Sequence, residues 1–182
     1  IAYILNKKNK KAGPFITALV SAYLLLSLTA LYGRWDITQS FKLSLMGYEI
    51  EFLLAVNSLS WLFAVMTAAI SILIALFSIK SQENFKFSSV FNLNFLIIIG
   101  SMIGIVFARD FLTLFIFWEL MTWTSFYLIS VGKKKMAGRA AYRYLILSAG
   151  AAYAFLMASI FIFQQTGSFA YQNAADYLLA NS

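Results

Sequence analysis

The chain has 182 residues, 62% hydrophobic and only 12% charged, with a formal net charge of +7. Soluble domains average about 45–50% apolar and about 25% charged residues, so this is the composition of a membrane protein. Cysteine and histidine are both absent, which excludes disulfides, thiolate metal sites, iron–sulfur ligation and histidine-ligated haem. No cofactor, metal site or catalytic chemistry is expected in this chain, and any redox chemistry belongs to a partner.

The chain opens on Ile1, and IAYIL at 1–5 reads as the end of an apolar helix, so the sequence is expected to be a segment of a longer polypeptide. A membrane helix needs about 20 predominantly apolar residues to cross about 30 Å of hydrocarbon. Five runs qualify, at 13–32, 57–79, 91–108, 110–131 and 140–163. With the stub they predict six spans in one all-α, polytopic membrane domain. The first run opens on Gly13-Pro14, and proline suits a first helical turn because its missing N–H would have no partner there. Residues 33–56 carry SFKLSLMGYEIEFLLAV, which alternates polar and apolar in places around Gly47. That stretch predicts a hairpin or interfacial segment outside the membrane.

The loops between these runs sort by charge. One side collects Lys7 to Lys11, Lys80 to Lys86 and Lys133 to Arg143, for a net +10. The other collects the 33–56 segment, Arg109-Asp110 and Asp176, for a net −2. The excess of basic residues in cytoplasmic loops predicts that the first side is cytoplasmic in a prokaryotic plasma membrane. Because the basic residues sit in these short loops, membrane orientation accounts for them and nucleic acid is not an expected partner.

Within the run 109–129, RDFLTLFIFWELMTWTSFYLI, stands one carboxylate, Glu119, about ten residues from either end. A charge at the bilayer centre costs at least about 2.5–3.5 kcal/mol, so such residues are paired, hydrated or used to carry ions. Thr122 and Trp123 share its helix face by i+3 and i+4 spacing. Thr122 is placed to hydrogen-bond the carboxylate, and Trp118 and Trp123 to keep it dry. The alternative is a neutral or paired Glu119 that only locks helix packing. Arg139 and Arg143, near the start of the next helix, reach toward Glu119 at best through water, so a lysine partner is expected beyond Ser182. Asp110 is a natural N-cap and Arg109 a headgroup anchor. Asn57 either caps its helix or lines a polar cavity. Gly100-x-x-x-Gly104 and Gly150-x-x-x-Ala154-x-x-x-Ala158 predict close helix contacts.

ARDFLTLFIFWELMTWTSFYLI at 108–129 resembles the fifth transmembrane helix of the antiporter-like subunits shared by complex I, Mrp-type sodium/proton antiporters and energy-converting membrane hydrogenases. NSLSWLF at 57–63 is similar to the opening of that family's third helix, and residues 143–169 to its sixth. The wording WELMTW leans toward the Mrp-related or hydrogenase-type members. The resemblance implies the N-terminal part of such a subunit, from the end of helix one through helix six. It implies that Glu119 is the helix-five glutamate, paired with a lysine on helix seven, and that opening and closing of this pair moves protons along a polar axis. The implied partners are other membrane subunits, the lipid bilayer, protons and, in antiporters, sodium. Two departures bear on proton entry. Asn57 stands where many members have Asp, and Gly150 to Ala152 stand where some place a charged pair. The competing expectation is a truncated or degenerate module with a scaffold role.

Overall fold

A computed structural model describes residues 12–35, 37–45, 48–81, 88–132 and 136–180. The stub 1–5, the lysines at 7–11 and 133–135, and Asp36, Glu83 and Lys86 lie outside the described residues. The elements are α1 (Ala12–Ala30), β1 (Thr38–Leu45), β2 (Tyr48–Ala55), α2 (Ser58–Ser81), α3 (Ser88–Phe107), α4 (Phe111–Ser130), α5 (Ala137–Thr166) and α6 (Tyr171–Ala180). Helices α1 to α5 are each long and apolar enough to cross a membrane, and the fold is a polytopic helix bundle.

Small residues let these helices approach. On α2, Ser60, Ala64, Ala68, Ser71, Ala75 and Ser78 are all buried, a stripe at three- and four-residue spacing that occupies one helix face. Ala64 and Ala68 pack on Leu28 of α1, and Ala75 on Phe95 and Ile99 of α3. Hydroxyls in this stripe are satisfied within their own helix, as Ser71 and Ser78 donate to the carbonyls of Ala68 and Ala75. Without a hydrophobic drive between helices in lipid, such close backbone approach is what supplies the van der Waals energy. Neighbours in sequence are neighbours in space: α1 packs on α2, α3 on both of them and on α4, and α4 on α5.

The two small-residue motifs divide. A Cβ on Gly104 would stand 2.4–2.6 Å from the ring of Phe117, so α3 and α4 meet closely there. Gly100 and Gly150 have open space where a Cβ would be, and Ala154 and Ala158 are exposed. Of the expected contacts, only the one at Gly104 is made among the described residues.

Between α1 and α2 the chain forms an antiparallel hairpin, with Thr38 opposite Ala55 and Leu45 opposite Tyr48. Its second strand touches the adjoining ends of α3 and α4. An aromatic group of Tyr32, Trp35 and Trp61, with ring centroids 5.0–5.9 Å apart, sits where this hairpin meets the helices. Trp61 also donates from Nε1 to the Leu28 carbonyl at 2.6 Å, tying α2 to the end of α1. Helix α5 ends at Gly167, whose φ of +70° is cheap only for glycine, with its N–H donating to Phe163 O at 2.7 Å. The turn leads into α6, a ten-residue helix too short and polar to stand out in the hydropathy pattern.

Candidate functional site

The helix that carries Glu119 is fixed at its start by Asp110. This residue is extended (φ −140°, ψ 156°) and only 1% exposed. Its Oδ1 accepts from the Thr113 N–H at 2.6 Å, satisfying one of the free donors of the first turn. Its Oδ2 accepts from the Thr113 hydroxyl and from the N–H of Leu53 on β2, the latter at 2.7 Å. The sequence shows the cap; it does not show the partner on the hairpin, 57 residues away.

Backbone bonds converge on the same point. Arg109 N–H donates to Leu53 O at 2.9 Å, Phe111 N–H to Phe169 O at 3.0 Å, and Tyr171 N–H to Arg109 O at 3.1 Å. Isolated bridges pair Leu54 with Ala108 and Asp110 with Ala170. One junction therefore ties the hairpin, the α3–α4 turn and the α5–α6 turn to the entry of α4. Tyr171 packs edge-on against Phe111, with centroids 4.8 Å apart. Burial pushes its phenol up to about 12, the Asp110 charge adds to the rise, and Arg109 opposes it. A cavity of about 430 Å³ opens beside this junction, lined by Thr38, Asn57, Arg109, Tyr171 and Gln172 among others. Asn57 borders that cavity and also caps α2: its Oδ1 accepts from Ser60 N–H at 2.7 Å, and Ser60 Oγ accepts from Asn57 N–H at 2.8 Å.

Glu119 lies in the middle of α4, partly buried. Its Oε2 accepts from Trp123 Nε1 at 3.2 Å. Its Oε1 is buried with no hydrogen-bond partner. The expected donor, Thr122, is 2% exposed and makes no bond to the carboxylate. One turn on, the indole reaches back over Glu119 instead, because helical side chains lean toward the N-terminus of their helix. Trp118 packs toward α5, its ring 5.7 Å from Phe155. Neither Arg139 nor Arg143 reaches Glu119; both are exposed in the first two turns of α5. At 1.5 Å per residue, Glu119 is about 16 Å in from the end of α4, and Arg143 only about 9 Å into α5. Among the described residues, then, Glu119 has a donor on its own helix and no cation. No group of three metal-ligating side chains occurs among them either.

A sequence profile of the family described as NADH:quinone oxidoreductase/Mrp antiporter, TM, matches residues 108–182, which include both carboxylates of α4. NADH-quinone oxidoreductase subunit M of Escherichia coli strain K12 is 32% identical over 136 residues, covering 67% of this chain and 26% of that protein. Na(+)/H(+) antiporter subunit A1 of Staphylococcus haemolyticus is 33% identical over 88 residues, 48% of this chain and 11% of that one. The chain thus spans about a quarter, or less, of the length of these relatives.

Among solved structures, a chain of the membrane-bound sulfane sulfur reductase, an archaeal respiratory membrane complex, superposes with a TM-score of 0.67 at 28% identity, covering 87% of this chain and 25% of that one. A chain of the Mrp complex from Dietzia sp. DQ12-45-1b gives 0.78 at 20% identity, covering 93% and 18%. A chain of respiratory complex I from Thermus thermophilus gives 0.70 at 21%, covering 98% and 39%. The last two show the common fold. With a shared helix bundle, a matching α4 and relatives in both groups of complexes, the chain belongs to the family of antiporter-like membrane subunits found in complex I and Mrp antiporters.

Proposed function

We propose that this chain is the N-terminal part of an antiporter-like subunit that moves protons, or exchanges them for sodium, within a multisubunit membrane complex. Glu119 is its switchable acid. The observation that carries the reading is the half-satisfied carboxylate: Oε2 takes one indole bond and Oε1 is buried without a partner. A carboxylate in an apolar helix bundle is costly in that state, and the cost is met when a proton or a cation joins Oε1. The cation is a lysine contributed from outside residues 1–182, and the other subunits of the complex are the remaining partners. The basic loops face the cytoplasm, and the hairpin and the Asp110 junction face the opposite side.

The test is Glu119→Gln in the full-length subunit, which keeps the shape of the side chain and removes its charge. Ion flux falls at least ~100-fold, about 2.7 kcal/mol, while the complex assembles at its normal level. Wild-type flux would make the chain a scaffold whose Glu119 serves only packing.

A further inference from the structure

The exposed face of α4 is formed by Ile116, Leu120, Trp123 and Tyr127, whereas Phe117 meets Gly104 of α3 and Trp118 meets Phe155 of α5. Glu119 lies at the border of that face, on the side toward Trp118. Trp123, itself 56% exposed, follows at i+4 and lies over it. Indole nitrogen is a donor only, so the bond to Oε2 requires that oxygen to remain an acceptor. An ionised carboxylate meets this condition, and so does a carboxyl protonated on Oε1. A proton on Oε2 would weaken the bond, because the hydroxyl oxygen of a carboxyl is a poorer acceptor than its carbonyl oxygen or a carboxylate oxygen. The two oxygens of Glu119 are unequal: Oε2 is held by the indole, and Oε1 is buried without a partner.

We infer that Trp123 is a positioning residue, which holds Oε2 through both protonation states and directs Oε1 to the incoming proton or alkylammonium cation. This rests on the reading of Glu119 as the switchable acid. In the protonation step a hydrated proton, or the ammonium partner, gives one H⁺ to Oε1, and the O–H bond formed there breaks again on release. The Trp123–Oε2 bond is neither made nor broken. The tether limits the carboxyl to one orientation, so each transfer starts from the same geometry instead of from a set of rotamers.

The experiment uses the full-length subunit in its native complex and reads the indole N–H band of Trp123 by ultraviolet resonance Raman, isolated as the difference from Trp123→Phe. In the wild type this band has the frequency of a hydrogen-bonded indole, and in Glu119→Ala, which removes the acceptor, it moves to that of a free one. Trp123→Phe keeps an aromatic ring, assembles, and transports roughly 3- to 10-fold more slowly, the size of effect that a single hydrogen bond carries. A band unchanged in Glu119→Ala, or wild-type transport in Trp123→Phe, would overturn the inference. Should Trp123→Phe fail to assemble, Trp123→Tyr supplies the difference spectrum and Glu119→Ala still decides. Loss of the proposed function registers separately, as normal flux in Glu119→Gln, and leaves the Raman result standing on its own.

Discussion

Two carboxylates belong to α4, Asp110 at its cap and Glu119 near its middle. Asp110 accepts from two backbone N–H groups and one hydroxyl, at depth. These bonds fill most of its acceptor capacity, and its task is to hold. Replacing it with alanine removes the cap and orphans the Leu53 N–H, which together cost about 2–4 kcal/mol. The expected result is a lower melting temperature together with faster amide exchange at Leu53. Tyr171 reports on the same junction. Below about pH 10 its phenol is neutral whether the chain is folded or not, so the junction's stability does not vary there on its account. Above that the unfolded chain ionises first, and stability falls as the pH rises toward about 12. Phenolate absorbance, taken as the difference from Tyr171→Phe, is expected to titrate at about 12, and Asp110→Asn to bring that value down. Glu119 was legible in the sequence because a lone charge interrupts an apolar run. Its bonding partner was not, since Thr122 and Trp123 both share its face and spacing alone cannot choose between them. The choice falls to Trp123 because the longer side chain leans back over the preceding turn, while Thr122 is packed away at 2% exposure.

At the level of elements, the helices follow from hydropathy and length, and their ends lie within three residues of the apolar runs. Helix α5 begins three residues before the apolar run at 140–163 and ends three after it, stopped by the left-handed Gly167. The pairings between elements were less legible. Gly100 and Gly104 read alike in sequence, yet only Gly104 faces a neighbour. Gly104→Ala sets a Cβ inside the Phe117 ring, with a cost of about 1–3 kcal/mol for forcing α3 and α4 apart. Gly100→Ala meets nothing within 4 Å in this chain and gains in helix propensity. Paired thermal denaturation in detergent should show a loss for Gly104→Ala and none for Gly100→Ala. The junction at Asp110 had no sequence signal at all beyond its cap, because a carboxylate's spare acceptor capacity carries no period and Leu53 is 57 residues distant.

The whole molecule is a bundle whose helices present large apolar side chains outward, among them Leu73, Phe77, Leu147 and Tyr153. Such a surface suits helices long and apolar enough to cross a membrane. Residues 1–182 contain no cysteine, so one introduced among them, read against the unsubstituted chain, reports topology. Single cysteines at Lys86 and Lys134 should be labelled by an impermeant thiol reagent only from the cytoplasmic side, and one at Lys42 only from the other. In the proposed function Glu119 changes its protonation during transport. Infrared difference spectroscopy on the full-length complex, switched between resting and turning-over states, measures this through the carboxyl C=O band that disappears in Glu119→Gln. The expected band rises and falls with turnover. A band of constant intensity in an actively transporting complex would contradict the proposed function.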